Sequence, residues 1–162
     1  MTKDDVVLVT GATGRQGGSV VNHMLAQGRK LRALSRDPGS AAAKALTDRG
    51  VEVVRGDLED PSSLDNALRG VRGVYSVQDF WAVGAKREVQ QGKNIADAAK
   101  KAGVEHFVFS SVGGAERDSG IDHFESSGKS RNISVNSDCP RRCCGQPASW
   151  RTTTSTRSRS ES

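Results

Sequence analysis

The chain has 162 residues, of which 35% are hydrophobic and 27% charged, with a formal net charge of +5. That length suits a single domain, and no apolar run approaches the length of a bilayer-spanning helix, which excludes a helical membrane protein. The charge is unevenly spread: of the 24 basic and 19 acidic side chains, seven and two lie beyond residue 125, so the first 125 residues are neutral and nucleic acid is not the expected partner of the body.

The N-terminus, MTKDDVVLVT, runs from two acids directly into a strand-like segment without the layout of a signal peptide. All three cysteines, Cys139, Cys143 and Cys144, fall in the tail, so the body has no disulfide framework and a cytoplasmic protein is expected. Val6 to Thr10 is a short continuous apolar run, as expected of a strand buried on both faces of a parallel sheet. A glycine-rich turn follows, and residues 17 to 27 place Val20, Val21, Met24 and Leu25 on one helical face, with Gly28 as the stop. The unit then repeats: strand at 31–35, helix at 40–49 ended by Gly50, strand at 51–55, and a helix opened by Asp60-Pro61 and ended by Gly70. A fourth strand is expected at 71–77, a long helix at 86–102 closed by Gly103, and a fifth strand at 104–111. Helices alternating with short apolar strands imply parallel pairing with crossovers on both sheet faces, an α/β doubly wound parallel sheet.

In the stretch VTGATGRQGGSV, Gly11, Gly14 and Gly17 follow the first strand and open the first helix. Glycines are needed where backbone must turn sharply and approach a pyrophosphate, and the free N–H groups of a helix start favour an anion there. A tight strand-to-helix turn would need glycines too, but the placement between strand and helix favours a dinucleotide loop. After the second strand such sites choose the cofactor: an acid accepts the ribose 2′-hydroxyl of NAD, and an arginine accommodates the 2′-phosphate of NADP. Here Ser35 and Arg36 occupy that place, and Arg15 in the glycine loop supplies a second positive charge. Asp37 stands beside Arg36 and would serve NAD, so NADP is favoured with NAD as the second choice.

The phrases GATGRQGGSVVNHML, GVEVVRGDLED, SVQDFW and EVQQGKNIADAAKKAGVEHFVFSSVGGAERDSGIDHFES, in that order, resemble the NmrA-like family of atypical short-chain dehydrogenase/reductases over residues 5–126. The resemblance implies a Rossmann-like sheet with strand order 3-2-1-4-5. It assigns Gly11, Thr13, Gly14, Gln16 and Gly17 to the pyrophosphate loop and Arg36 to the 2′-phosphate. It puts Asp57 and Leu58 near the adenine, Gln78 and Phe80 along the nicotinamide half, and Lys93 facing the cofactor from its helix. The wider superfamily reduces carbonyls with a Tyr and a Lys four residues apart, the Lys lowering the phenol's pKa. This chain has His123 at the first of those positions and Ser127 at the second, so the relay is incomplete and His123 is the one catalytic candidate.

From Ser126 onward the sequence is Ser/Thr/Arg-rich and loses its apolar periodicity. Reading across codons, with the last base of one joined to the first two of the next, Asp138-Cys139 and Cys143-Cys144 both return Leu, and synonymous choices allow KWEIEKHLREL followed by GLPATVLRP. That is the family's helix, break and strand, so residues 126–162 read as an irregular, frame-shifted tail behind a domain at 1–125. On this reading the sheet is C-terminally truncated, with its sixth strand missing and its fifth an uncovered edge. The tail's CPRRCC lacks a fourth metal ligand, its RTTTSTRSRSES is codon debris rather than an RNA-binding segment, and Asn132-Ile133-Ser134 without a secretory signal carries no consequence. Two uses of the body follow: a redox-sensing or regulatory NADP(H) binder with a protein partner, or an NADPH-dependent reductase that also needs a substrate pocket and a proton donor.

Overall fold

The structure is a computed structural model and describes residues 2–110. Five parallel strands, β1 (Val6–Val9), β2 (Lys30–Ser35), β3 (Glu52–Arg55), β4 (Val71–Ser76) and β5 (His106–Phe109), form one sheet in the order β3-β2-β1-β4-β5. The helices are α1 (Arg15–Ala26), α2 (Ala41–Thr47), α3 (Pro61–Ala67) and α4 (Phe80–Lys101). His123, Ser127, the cysteines and the tail lie outside the described residues.

β1 shows why this sheet needs helices on both sides. Val7 and Val9 point to one face and pack with Val21 of α1 and Leu46 of α2; Leu8, between them, points to the other and packs with Leu64 of α3 and Ile95 of α4. Period-2 alternation with every residue apolar thus buries β1 twice over. The chain crosses from one face to the other after β3, so the sheet is wound in both directions from β1, and the connections that leave the adjacent ends of β1 and β4 run to opposite faces at the strand-order reversal.

Local chemistry sets the helix ends. Ser40 caps α2 by accepting the Ala43 N–H, and Asp60 caps α3 by accepting the Ser62 N–H at 3.0 Å, with Pro61 in the first turn. Gly28, Gly50, Gly70 and Gly103 follow the four helices with φ of 70°, 83°, 71° and 71°, the left-handed conformation that glycine adopts at least cost.

α4 departs from expectation. It begins at Phe80 rather than near residue 86, capped by Asp79, which accepts the Ala82 N–H, and Gly84 interrupts it with φ 76° and ψ 167°. It is therefore a single turn joined through a non-helical glycine to a long body with one buried face. Among the described residues β5 pairs only with β4, and Val108 on it is 40% exposed. None of the described helices is long and apolar enough to cross a membrane.

A candidate dinucleotide site at the strand ends

The carboxyl ends of β1, β2, β3 and β4 open onto a crevice of about 330 Å³, lined among others by Gly11, Thr13, Ser35, Arg36, Asp57 and Gln78. Its back wall is the turn between β1 and α1. Gly11 takes φ 58°, and a Cβ there would stand 2.9 Å from Val77 Cγ1. The Gly14 N–H donates to the Gly11 carbonyl at 2.9 Å, closing the turn. Gly17 is buried, and a Cβ on it would lie 2.6 Å from the Gly11 carbonyl carbon and 2.8 Å from the Thr10 carbonyl oxygen. The third glycine is thus what lets α1 sit directly on the turn. Gly14, the N-cap, offers no side-chain acceptor to the first-turn amides, which leaves those donors for a ligand.

Thr10, 1% exposed, holds the crevice open from beneath. Its hydroxyl donates to the Val77 carbonyl and accepts the Val77 N–H, both at 2.8 Å, tying the ends of β1 and β4 together where the strand order reverses. As the last residue of an apolar run it gave no sequence signal of this bridge.

The other expected site residues fall as follows. Arg15 and Gln16 are exposed on the first turn of α1, and the Gln16 amide donates to the Tyr75 hydroxyl at 3.2 Å and to Ser110 Oγ. Ser35, at the end of β2, accepts the Asp37 N–H at 3.2 Å, and Arg36 stands exposed beside it. Asp37 turns its carboxylate into its own loop, accepting the Gly39 N–H at 2.9 Å. Asp57 and Leu58 are half-buried below β3, and Phe80 is the first residue of α4. Lys93 is exposed on α4 and lines no part of the crevice; Gln91 of the same helix does. Two helical residues differ by about 200°, so the two side chains face opposite ways.

Gln78 is half-buried on the crevice wall; its amide N–H donates to Ser76 Oγ at 2.7 Å, while its buried Oε1 has no partner among the described residues. An unpartnered buried acceptor on a ligand-sized hollow is a place where a ligand donor would be favourable.

A network that sequence spacing hides fixes the floor. Arg87 of α4 makes a bidentate pair with Glu59 at 2.7 and 2.8 Å, Gln91 donates to Glu59 at 2.9 Å, and Asn94 donates to the Leu58 carbonyl at 2.8 Å. The loop bearing Asp57 and Leu58 is thereby bolted to the long body of α4. Arg87 first, then Gln91, holds the Glu59 carboxyl below its usual value, and the Arg36 charge adds to the effect. A carboxyl whose pKa is lower folded than unfolded stabilises the fold above its unfolded value near 4.5 and loses that contribution as the pH falls through the folded value. Melting temperature should therefore fall less steeply for Glu59→Gln than for the parent chain between about pH 5 and pH 3, checked by thermal melts across that window.

The sequence model of the NmrA-like family matches residues 3–131. The chain belongs to the NmrA-like family. Among its relatives, an NmrA-like family domain-containing protein of Dictyostelium discoideum is 38% identical over 113 residues, covering 68% of this chain and 37% of that protein. The NAD(P)H azoreductase of Xenophilus azovorans is 39% identical over 116 residues, covering 72% of this chain and 38% of the enzyme. The crystal structure of Citrobacter sp. triphenylmethane reductase complexed with NADP(H) superposes with a TM-score of 0.72 at 29% identity, over 83% of this chain and 46% of that one. This NmrA-like chain thus spans well under half the length of the curated relatives it matches.

Proposed function

We propose that this NmrA-like chain binds NADP(H) in the crevice, with the diphosphate against the start of α1 and the 2′-phosphate on Arg36. The observation that carries the reading is the turn itself: three glycines bring backbone and an uncapped helix start together, and a guanidinium stands at the end of the neighbouring strand. The residues fit the group. Gly11 and Gly17 leave no room for a Cβ, and Asp37, the alternative partner for an unphosphorylated ribose, spends an oxygen on its own loop. Gln78 Oε1 is an acceptor for an N–H or O–H of the ligand's other half.

When bound, the cofactor supplies hydride chemistry; this chain's residues bind it, orient it and select it. The use we favour is a redox-sensing or regulatory one, because it needs only the turn, Arg36 and an ordered sheet. A reductase remains the second reading, supported by relatives named as oxidoreductases and an azoreductase. NADPH oxidation over a panel of quinones and azo dyes separates the two, since turnover by the 162-residue chain would favour the reductase. For the cofactor, the parent chain should bind NADPH more tightly than NADH, and Arg36→Ala should lose about ten- to hundred-fold for NADPH while NADH changes little. Equal dissociation constants for the two cofactors in the parent chain would defeat the assignment.

A further inference from the structure

Next to the crevice lies a second groove of about 590 Å³, lined by Arg36, Arg55, Gly56, Asp57, Asp60, Ser62, Ser63 and Asn66. Arg36, Gly56 and Asp57 belong to both hollows, so the two are continuous around the end of β3. Parallel pairing puts Arg55 in register with Ser35, and the Gly56 N–H donates to the Ser35 carbonyl at 2.9 Å. The residue after Ser35 is Arg36, so two guanidiniums leave neighbouring strand ends for the same groove.

Among the described residues neither guanidinium makes a hydrogen bond or ion pair, although Asp57 and Asp60 line the same groove and Asp37 and Glu59 flank Arg36; each of these four acids has at least one carboxylate oxygen engaged by another group. Asp60 Oδ1 accepts both the N–H and the hydroxyl of Ser62, at 3.0 and 2.6 Å. Asp57 Oδ1 accepts the Glu59 N–H at 2.9 Å, Asp37 Oδ1 accepts the Gly39 N–H, and Glu59 is held by Arg87. Two adjacent cations with free donors repel one another, and a doubly charged phosphate monoester offers three acceptor oxygens that two planar guanidiniums can share.

We propose that Arg55 is a second specificity-determining residue, which with Arg36 grips a phosphate monoester on the adenine-side ribose. The inference rests on the NADP(H) reading above and adds to it a residue on a different strand. Selectivity is then built across β2 and β3 together, so that neither arginine alone accounts for it.

The test uses the full chain and four probes: NADPH, NADH, adenosine 2′,5′-bisphosphate and inorganic phosphate alone. Arg55→Gln should weaken NADPH and the bisphosphate about ten-fold and leave NADH within about two-fold, the loss of one charge-assisted contact. Arg55→Lys should recover part of the loss, because it restores charge without the fork. NADH affinity and the ligand-free melt serve as controls for folding. If the parent chain prefers NADPH and Arg36→Ala removes the preference but Arg55→Gln does not, Arg55 has no such role while the cofactor reading survives. If the parent chain shows no preference, both fall. A melting shift with inorganic phosphate as large as that with NADPH would overturn the assignment to the cofactor in favour of a free-anion site.

Discussion

Gly17→Ala should cost about 3 kcal/mol of stability, the upper end for forcing an atom into packed structure, and should abolish dinucleotide binding. The added methyl meets carbonyl groups of Thr10 and Gly11, which are backbone and cannot rotate away as a side chain would. Relief requires α1 to move off the turn, and that movement carries the first-turn amides away from the crevice. Urea unfolding and NADPH titration of the same sample check both halves. Parent-like values in both would show that the turn has slack the geometry does not suggest.

Leu8→Ala should cost about 3 to 4 kcal/mol, from lost transfer energy plus the cavity left behind. Leu8 is fully buried in the central strand, beneath α3 and α4, with Leu34, Leu64, Val74 and Ile95 in the same cluster. No neighbour can fill the space without leaving its own strand or helix. The loss is a large share of the 5 to 15 kcal/mol typical of a domain, so the urea midpoint should drop sharply. Leu8→Met, which keeps the volume, should cost less than about 1.5 kcal/mol; an equal drop for both variants would argue that shape and not cavity governs the site.

The two variants also mark what sequence reading reaches. Apolar runs bounded by glycines or caps made every described strand recognisable, and the alternation of strands with helices implied a parallel sheet; the order β3-β2-β1-β4-β5 came from the resemblance to the family. The stops at Gly28, Gly50, Gly70 and Gly103 were legible because an L-residue there would be strained. The start of α4 was not: Gly84 interrupts FWAVGAKREV, so the periodicity only becomes continuous after it, although Asp79 before an apolar pair is a cap signal. At the crevice, the places of the glycine turn and Arg36 could be read because both follow directly from the strand ends before them. The Glu59–Arg87–Gln91 network joins residues 28 and 32 positions apart, and nothing in a charged residue's identity names a partner at that distance. Lys93, assigned by resemblance, and Gln91, found by geometry, show the same limit on one helix.

The broken start of α4 divides the lining of the crevice between two mechanically different parts. The loop of Asp57 and Leu58 is bolted to the long piece, whose other face packs in the core, whereas Ala82 and Val83 belong to a lone turn that Gly84 separates from it. Substitutions in that turn can reshape one end of the pocket without disturbing the core packing that holds the other. One half is thereby free to diverge in sequence while its counterpart stays under the constraint of the fold.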